Sequence, residues 1–279
     1  MTIAPVPPDR YITLGDINTR YWSLGNQGKP VILLHGLGSC VETWTYTIGA
    51  LAHSHRVYAV DLVGCGRSDK PSITYSLVEQ AHFIKTFIDT FNLNRVSLVG
   101  NSMGGGVGLQ FALLFPEAVE KLVLVDSLGL GQEINLILRL ASLPFVKPLF
   151  QPSRIGTAFF LKQVVYDASI ITDDWVNVFY QIYTLPGAPE ALQSQVKSLI
   201  DFWGVHSEVY RQIVDHLALI NTPTLVVWGQ QDPVLPVAHA QVAANLLQNA
   251  QLHILGQCGH WAQVERPKEF NSLVVEFLL

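Results

Sequence analysis

The sequence predicts an α/β protein: a parallel sheet flanked by helices and interrupted by a helical insertion. Three observations carry this. Short continuous apolar runs alternate with helical periods, the mark of strands buried on both faces and joined by right-handed crossovers. The alternation stops after Asp126 and resumes near Thr224. A chain of 279 residues is long enough to bury one large core carrying such an insertion.

Taken in order, Tyr11–Leu14 and Asn18–Leu24 read as strands joined by a Gly15-Asp16 turn, hence a hairpin. Val31–Leu34 is a buried strand, and Val41–Ala52 is expected to be helical. Val57–Val60 is the next strand, ending at Asp61. Leu77, Ala81, Ile84, Phe87, Ile88 and Phe91 recur at helical spacing. Val96–Val99 is a strand, followed by a helix ending near Phe115, and Leu122–Val125 is a strand. From 127 to 215 no apolar strand bounded by turns is expected, only helical stretches cut by Pro144, Pro148, Pro152, Pro186 and Pro189. Thr224–Trp228 (strand), Val237–Leu247 (helix), Leu252–Leu255 (strand) and Pro267–Leu279 (helix) restore the alternation. The expected organisation is an α/β core of 1–126 and 216–279 with a helical cap, 127–215.

Bulk properties exclude several classes. A net charge of −5 gives no electrostatic footprint for nucleic acid and no polybasic membrane patch. No apolar run reaches the roughly 18 residues that read as a membrane span. The N-terminus lacks a basic start and an apolar stretch, so no signal peptide is expected. Three widely spaced cysteines, Cys40, Cys65 and Cys258, read as free thiols in a reducing cytoplasm. No Cys/His spacing suggests a metal, and no cofactor is expected. The expected state is a monomer or homodimer.

The chemistry is carried by Gly100-Asn101-Ser102-Met103-Gly104, a G-x-S-x-G between a strand and a helix. A serine on such a turn has a strained backbone and an exposed hydroxyl, and a Cβ at Gly100 or Gly104 would clash as the chain folds back. The helix begins at the serine, so its free N–H groups favour negative charge there. Serine also needs a base, and the base an orienting acid. Asp232 follows the Thr224–Trp228 strand and His260 follows Leu252–Leu255. With Ser102 they fall on the carboxyl edge of the sheet, where ligands collect in such folds. Asp126, at the end of its own strand, is a rival acid. The Met103 and Leu37 amides are the candidate oxyanion donors, Leu37 lying in the glycine-rich loop His35-Gly36-Leu37-Gly38. His35 is expected to hold that loop, and Gly64-Cys65-Gly66-Arg67-Ser68 to form a tight turn bordering the site.

Together with Asp61-Leu62-Val63-Gly64-Cys65-Gly66 and Gly259-His260, these motifs resemble the cap-bearing branch of the α/β-hydrolase family over nearly the whole chain. The resemblance implies a mostly parallel eight-stranded sheet and a Ser102–His260–Asp232 triad. Within the family, Gly100 to Gly105 and Cys258-Gly259-His260-Trp261-Ala262-Gln263 look most like the carbon–carbon bond hydrolases of meta-cleavage products. The resemblance implies that Asn101 and Trp261 line the site, beside Gly36. It also implies a cap arginine for the substrate's carboxylate, where this chain has Phe179. A buried carboxylate without a cation is costly. The expected activity is therefore that of an esterase-like serine hydrolase, cleaving an ester of a hydrophobic small molecule under a cap rich in apolar residues: Leu136, Leu138, Leu140, Phe145, Leu149, Phe159, Phe160, Trp175 and Phe179. Two alternatives stand beside it: a carbon–carbon hydrolase of dienoates, and a non-catalytic small-molecule binding protein on the same scaffold.

Overall fold

The structure, a computed structural model, describes residues 6–143 and 152–279. Pro144, Phe145, Pro148 and Leu149 lie outside the described residues, as do residues 1–5. β1 (Arg10–Leu14) and β2 (Ile17–Leu24) form the expected antiparallel hairpin. β3 (Pro30–Leu34), α1 (Ile48–Leu51), β4 (Arg56–Val60), α2 (Leu77–Thr90), β5 (Val96–Asn101), α3 (Met103–Leu114) and β6 (Val119–Val125) follow. Between β6 and the next long strand come α4 (Leu136–Ala141), α5 (Arg154–Lys162), α6 (Asp173–Tyr183), α7 (Ala188–Leu199), the short pair β7 (Ile200–Asp201) and β8 (Gly204–Val205), and α8 (Ser207–Val214). The chain closes with β9 (Thr224–Gly229), α9 (Ala238–Leu246), β10 (Ala250–Leu255), α10 (Ala262–Glu265) and α11 (Pro267–Leu278).

The eight-stranded sheet has the order β1-β2-β4-β3-β5-β6-β9-β10. Every neighbouring pair from β4 to β10 is parallel, and β2 alone runs against the rest. Side chains alternate across it, as a period of two requires. Ile32, Leu34, Val226 and Trp228 enter one core, with α2 and α3. Val31, Leu33, Leu225 and Val227 enter the other, with α1 and α11. Both faces are covered, which is why these strands read as unbroken apolar runs. α2 begins where Ser76 and Glu79 form a reciprocal capping box, closing its free amides.

Three expectations need correction. Val41–Ala52 is not one helix: a 3-10 turn over Val41–Trp44 is followed by the single turn of α1. Asp61 Oδ1 accepts from the Val41 amide at 2.8 Å, and the Thr43 hydroxyl donates to Cys40 O at 2.9 Å. Local side-chain bonds of this kind compete with helical ones. The segment 127–215 does contain strand, the pair β7–β8. Asp201 Oδ1 accepts from the Trp203 and Gly204 amides and closes a turn too tight to leave a periodic signal. Pro189 does not interrupt a helix but lies in the first turn of α7, where its missing N–H costs nothing.

Candidate active site

Ser102 joins β5 to α3 with φ 56° and ψ −118°, a conformation that side chains rarely adopt. The surroundings over-determine it. The Ser102 amide donates to Val125 O at 2.9 Å, and the Ser102 carbonyl accepts from Gly105, Gly106 and Leu128. A Cβ on Gly100 would meet the Gly104 carbonyl, and one on Gly104 the Leu34 carbonyl, so the turn closes only with glycine at both places.

The carboxyl ends of β9 and β10 deliver the acid and the histidine. Asp232 Oδ2 lies 2.8 Å from His260 Nδ1, and Asp232 Oδ1 accepts from the Val234 and Leu235 amides at 2.7 and 3.1 Å. A carboxylate can only accept, so Nδ1 carries the proton and the neutral ring keeps its lone pair on Nε2. Asp126 does not bond to His260; its Oδ1 accepts from the Gly229 amide at 2.7 Å. Asp232 is therefore the carboxylate paired with His260. Among the described residues the Ser102 hydroxyl makes no hydrogen bond, and such contacts often tighten only with substrate bound. The nucleophile and histidine elements are tied through Asn101. Its Nδ2 donates to His260 O at 3.0 Å and to Val125 O at 3.2 Å. Both amide hydrogens are thus engaged inside the protein.

The loop after β3 is fixed by His35. The Leu62 amide donates to Nε2 at 3.1 Å, so Nδ1 is protonated and donates to Gly36 O at 2.8 Å. Burial pushes the His35 pKa down and keeps the ring neutral. Gly36 abuts the nucleophile, and a Cβ there would stand 3.2 Å from Ser102 Cβ. Met103 opens α3, and neither its amide nor that of Leu37 is bonded to another described group. The turn after β4 is anchored by Asp61 Oδ2 on the Arg67 amide at 2.8 Å, and its Gly64, Cys65 and Gly66 line a small cleft with Gly38 of the β3 loop.

Helices from the inserted segment lie over this edge. The Val164 carbonyl accepts from the His260 amide at 2.9 Å. Trp261 packs at a tilt against Trp175 and Phe179 with centroids 5.7 and 5.5 Å apart, and Phe179 meets Tyr183 at 5.8 Å. The Tyr183 hydroxyl in turn lies beside Gly38, so an aromatic arc runs from the histidine loop to the β3 loop. Phe179 is 1 % exposed. Leu136, Leu140 and Phe159 face outward instead of lining a pocket. Arg154 and Lys162 are exposed, and Arg154 bonds Asn177. A groove of about 400 Å³ lined by Lys121, Leu225, His253 and Phe277 lies away from Ser102, on the α11 side of the sheet.

One residue escaped the sequence reading. Glu265 Oε1 accepts from the Gly259 and Trp261 amides at 3.0 and 3.2 Å, and Oε2 from Tyr166 at 2.8 Å. It clamps the His260 loop to the inserted segment. It sits in α10, a turn too short to show a period.

All three cysteines are free and buried. No described helix is long and apolar enough to cross a membrane.

Comparison with known proteins agrees with this geometry. Residues 29–267 match the alpha/beta hydrolase fold family. The chain is 34% identical over 274 residues to the 2-hydroxy-6-oxo-6-(2'-aminophenyl)hexa-2,4-dienoic acid hydrolase of Metapseudomonas resinovorans, covering 97% of this chain and 90% of that one. It superposes on a meta-cleavage product hydrolase from Pseudomonas fluorescens IP01 with a TM-score of 0.82 at 31% identity, covering 96% of each chain. A membrane phospholipase A is also similar, with a TM-score of 0.81 at 26% identity over 97% of this chain and 85% of that one. With its mostly parallel eight-stranded sheet and an acid–histidine pair at the sheet's carboxyl edge, the chain belongs to the α/β-hydrolase fold family.

Proposed function

We propose that the protein is a serine hydrolase that cleaves a carboxylic ester of an apolar small molecule, with 127–215 as its specificity-determining cap. Ser102 attacks the carbonyl while His260 Nε2 takes its proton. Asp232 holds the Nδ1 proton and stabilises the imidazolium. The Met103 and Leu37 amides receive the oxyanion. His260 then protonates the departing alcohol, and water, deprotonated by the same ring, releases the acid from Ser102. The observation that carries the choice of substrate is Phe179. It is buried against Trp261 and Trp175 in the place where the resembled hydrolases are expected to hold a cation. An aromatic wall favours an apolar acyl or aryl group and disfavours a carboxylate.

A second reading, carbon–carbon cleavage of a meta-cleavage dienoate, is favoured by the relatives named for that activity. The two are separated by assaying p-nitrophenyl esters of graded length against such a dienoate. Ester turnover with kcat/KM at least tenfold above that for the dienoate supports the first; the reverse order supports the second. A fluorophosphonate that fails to label Ser102 removes both and leaves a binding protein. Ser102→Ala or His260→Gln is expected to lower kcat by about three orders of magnitude or more.

A further inference from the structure

Asp126 is a buried carboxyl group that the mechanism above does not use. Its side chain is inaccessible to solvent, and its backbone is held at φ 46° by the strand end and the Asp126 N–H bond to Val227 O at 3.0 Å. Oδ1 is satisfied by the Gly229 amide, while Oδ2 is buried without a full hydrogen bond, the Ala262 amide also facing this carboxyl. Orphaned buried oxygens are uncommon and ask for a reason. Here the surroundings supply one: Asp126, Asp232 and His260 each place a ligating atom within 4.8 Å of the other two.

We propose that Asp126 is a second acid for His260, a positioning residue that holds the imidazole's Nδ1–H when the Asp232 carboxylate is absent. Two carboxylates this close in a buried site do not both ionise readily. Burial first, and the neighbouring Asp232 second, push the Asp126 carboxyl up. Removing the Asp232 carboxylate removes the like charge. That leaves Asp126, among the described residues, as the one carboxyl group near His260, with Oδ2 able to accept from Nδ1–H whether or not the group is ionised. The strained backbone fits this role, since it fixes the carboxyl at the triad while Oδ1 stays on Gly229.

The inference rests on His260 as the base, and its test separates the two. Fluorophosphonate labelling rates of Ser102 are compared in the wild type, Asp126→Asn, Asp232→Ala and the double variant. A simple packing defect from Asp126→Asn slows labelling by the same factor in both backgrounds. A second acid makes that factor at least tenfold larger in the Asp232→Ala background. Equal factors overturn the proposal. Histidine ¹⁵N NMR of Asp232→Ala, where Asp126 is untouched, gives an independent reading. His260 retaining its Nδ1–H tautomer supports the proposal, and a switch to Nε2–H overturns it. A wild type that resists the label overturns the serine-hydrolase reading instead, and the NMR experiment still decides the Asp126 contact.

Discussion

Asn101 Nδ2 donates to the His260 carbonyl at 3.0 Å, so the residue beside the nucleophile holds the backbone of the histidine. The same amide reaches Val125 O at 3.2 Å, and Asn101 is only 1 % exposed. Asn101→Ala leaves the buried His260 carbonyl without this donor, at about 1–3 kcal/mol, while Val125 O keeps the Ser102 amide. The larger effect is expected on rate. The His260 loop loses its tether to the nucleophile strand, and misplacement of about 1 Å costs on the order of 100-fold. Asn101→Ala is therefore expected to lower kcat about 10- to 100-fold with KM little changed, read from steady-state ester hydrolysis. An unchanged kcat would show that the tether does not position the histidine.

Ser102 stores strain. At φ 56° a non-glycine residue costs about 1–3 kcal/mol, and the cost lies in the backbone and Cβ rather than in the hydroxyl. Ser102→Ala keeps the Cβ and the strain, whereas Ser102→Gly relieves it. Both variants are expected to be inactive. The glycine variant is expected to be the more stable by about 1 kcal/mol, a rise of roughly 2–4 °C in Tm for a chain of this size. Equal melting temperatures in a thermal scan would count against strain at the elbow.

A buried ion network under the hairpin sets an acid limit on stability. Arg20 bonds Glu42 at 2.9 Å, Asp9 at 2.6 Å and Asp61 at 3.2 Å, and Arg67 bonds Glu42 at 2.6 Å. Burial works to raise the Glu42 pKa, but Arg20, then Cys40 and Arg67, outweigh it and bring the carboxyl down to about 2. A folded pKa below the unfolded one means the contribution is complete above about pH 4.5 and is lost as pH falls toward 2. Stability is therefore expected to decline over that window by on the order of 2–3 kcal/mol from this group. In urea titrations Glu42→Gln should flatten the decline and lower the plateau near neutrality. A slope identical to that of the wild type would contradict this assignment.

The long strands were legible because both faces are buried, which leaves uninterrupted apolar runs such as Val31–Leu34 and Val57–Val60. Ser102 and Asp232 follow strands of this kind, β5 and β9, whereas His260 follows the half-exposed edge strand β10, and all three sit at carboxyl ends of the sheet. The Val41–Trp44 turn was not, since what sets it is a carboxylate 20 residues away, Asp61, capturing the Val41 amide. The β7–β8 pair was hidden for a different reason: two residues per strand carry no period. Glu265 and the inward use of Asn101 depend on three-dimensional neighbours that spacing does not encode. Outward-facing Leu136, Leu140 and Phe159 show that apolar content alone does not say which way a short helix turns.

Phe179 offers the sharpest test of substrate class. Its ring is enclosed by Trp261 at 5.5 Å, Tyr183 at 5.8 Å and Trp175 at 6.3 Å. Phe179→Arg places a cation among aromatic faces, which hold it more readily than aliphatic groups do, but its burial without a counter-charge lowers stability. A substrate carboxylate reaching that position would pair with the guanidinium and recover part of this loss on binding. The variant is therefore expected to melt below the wild type, and a carboxylate-bearing dienoate is expected to raise its Tm more than a neutral ester does. Its ratio of kcat/KM for dienoate over ester should rise at least tenfold, about 1.4 kcal/mol of changed discrimination. A ratio that does not move would mean that position 179 does not face the substrate, and that the aromatic arc docks the cap rather than selecting what lies beneath it.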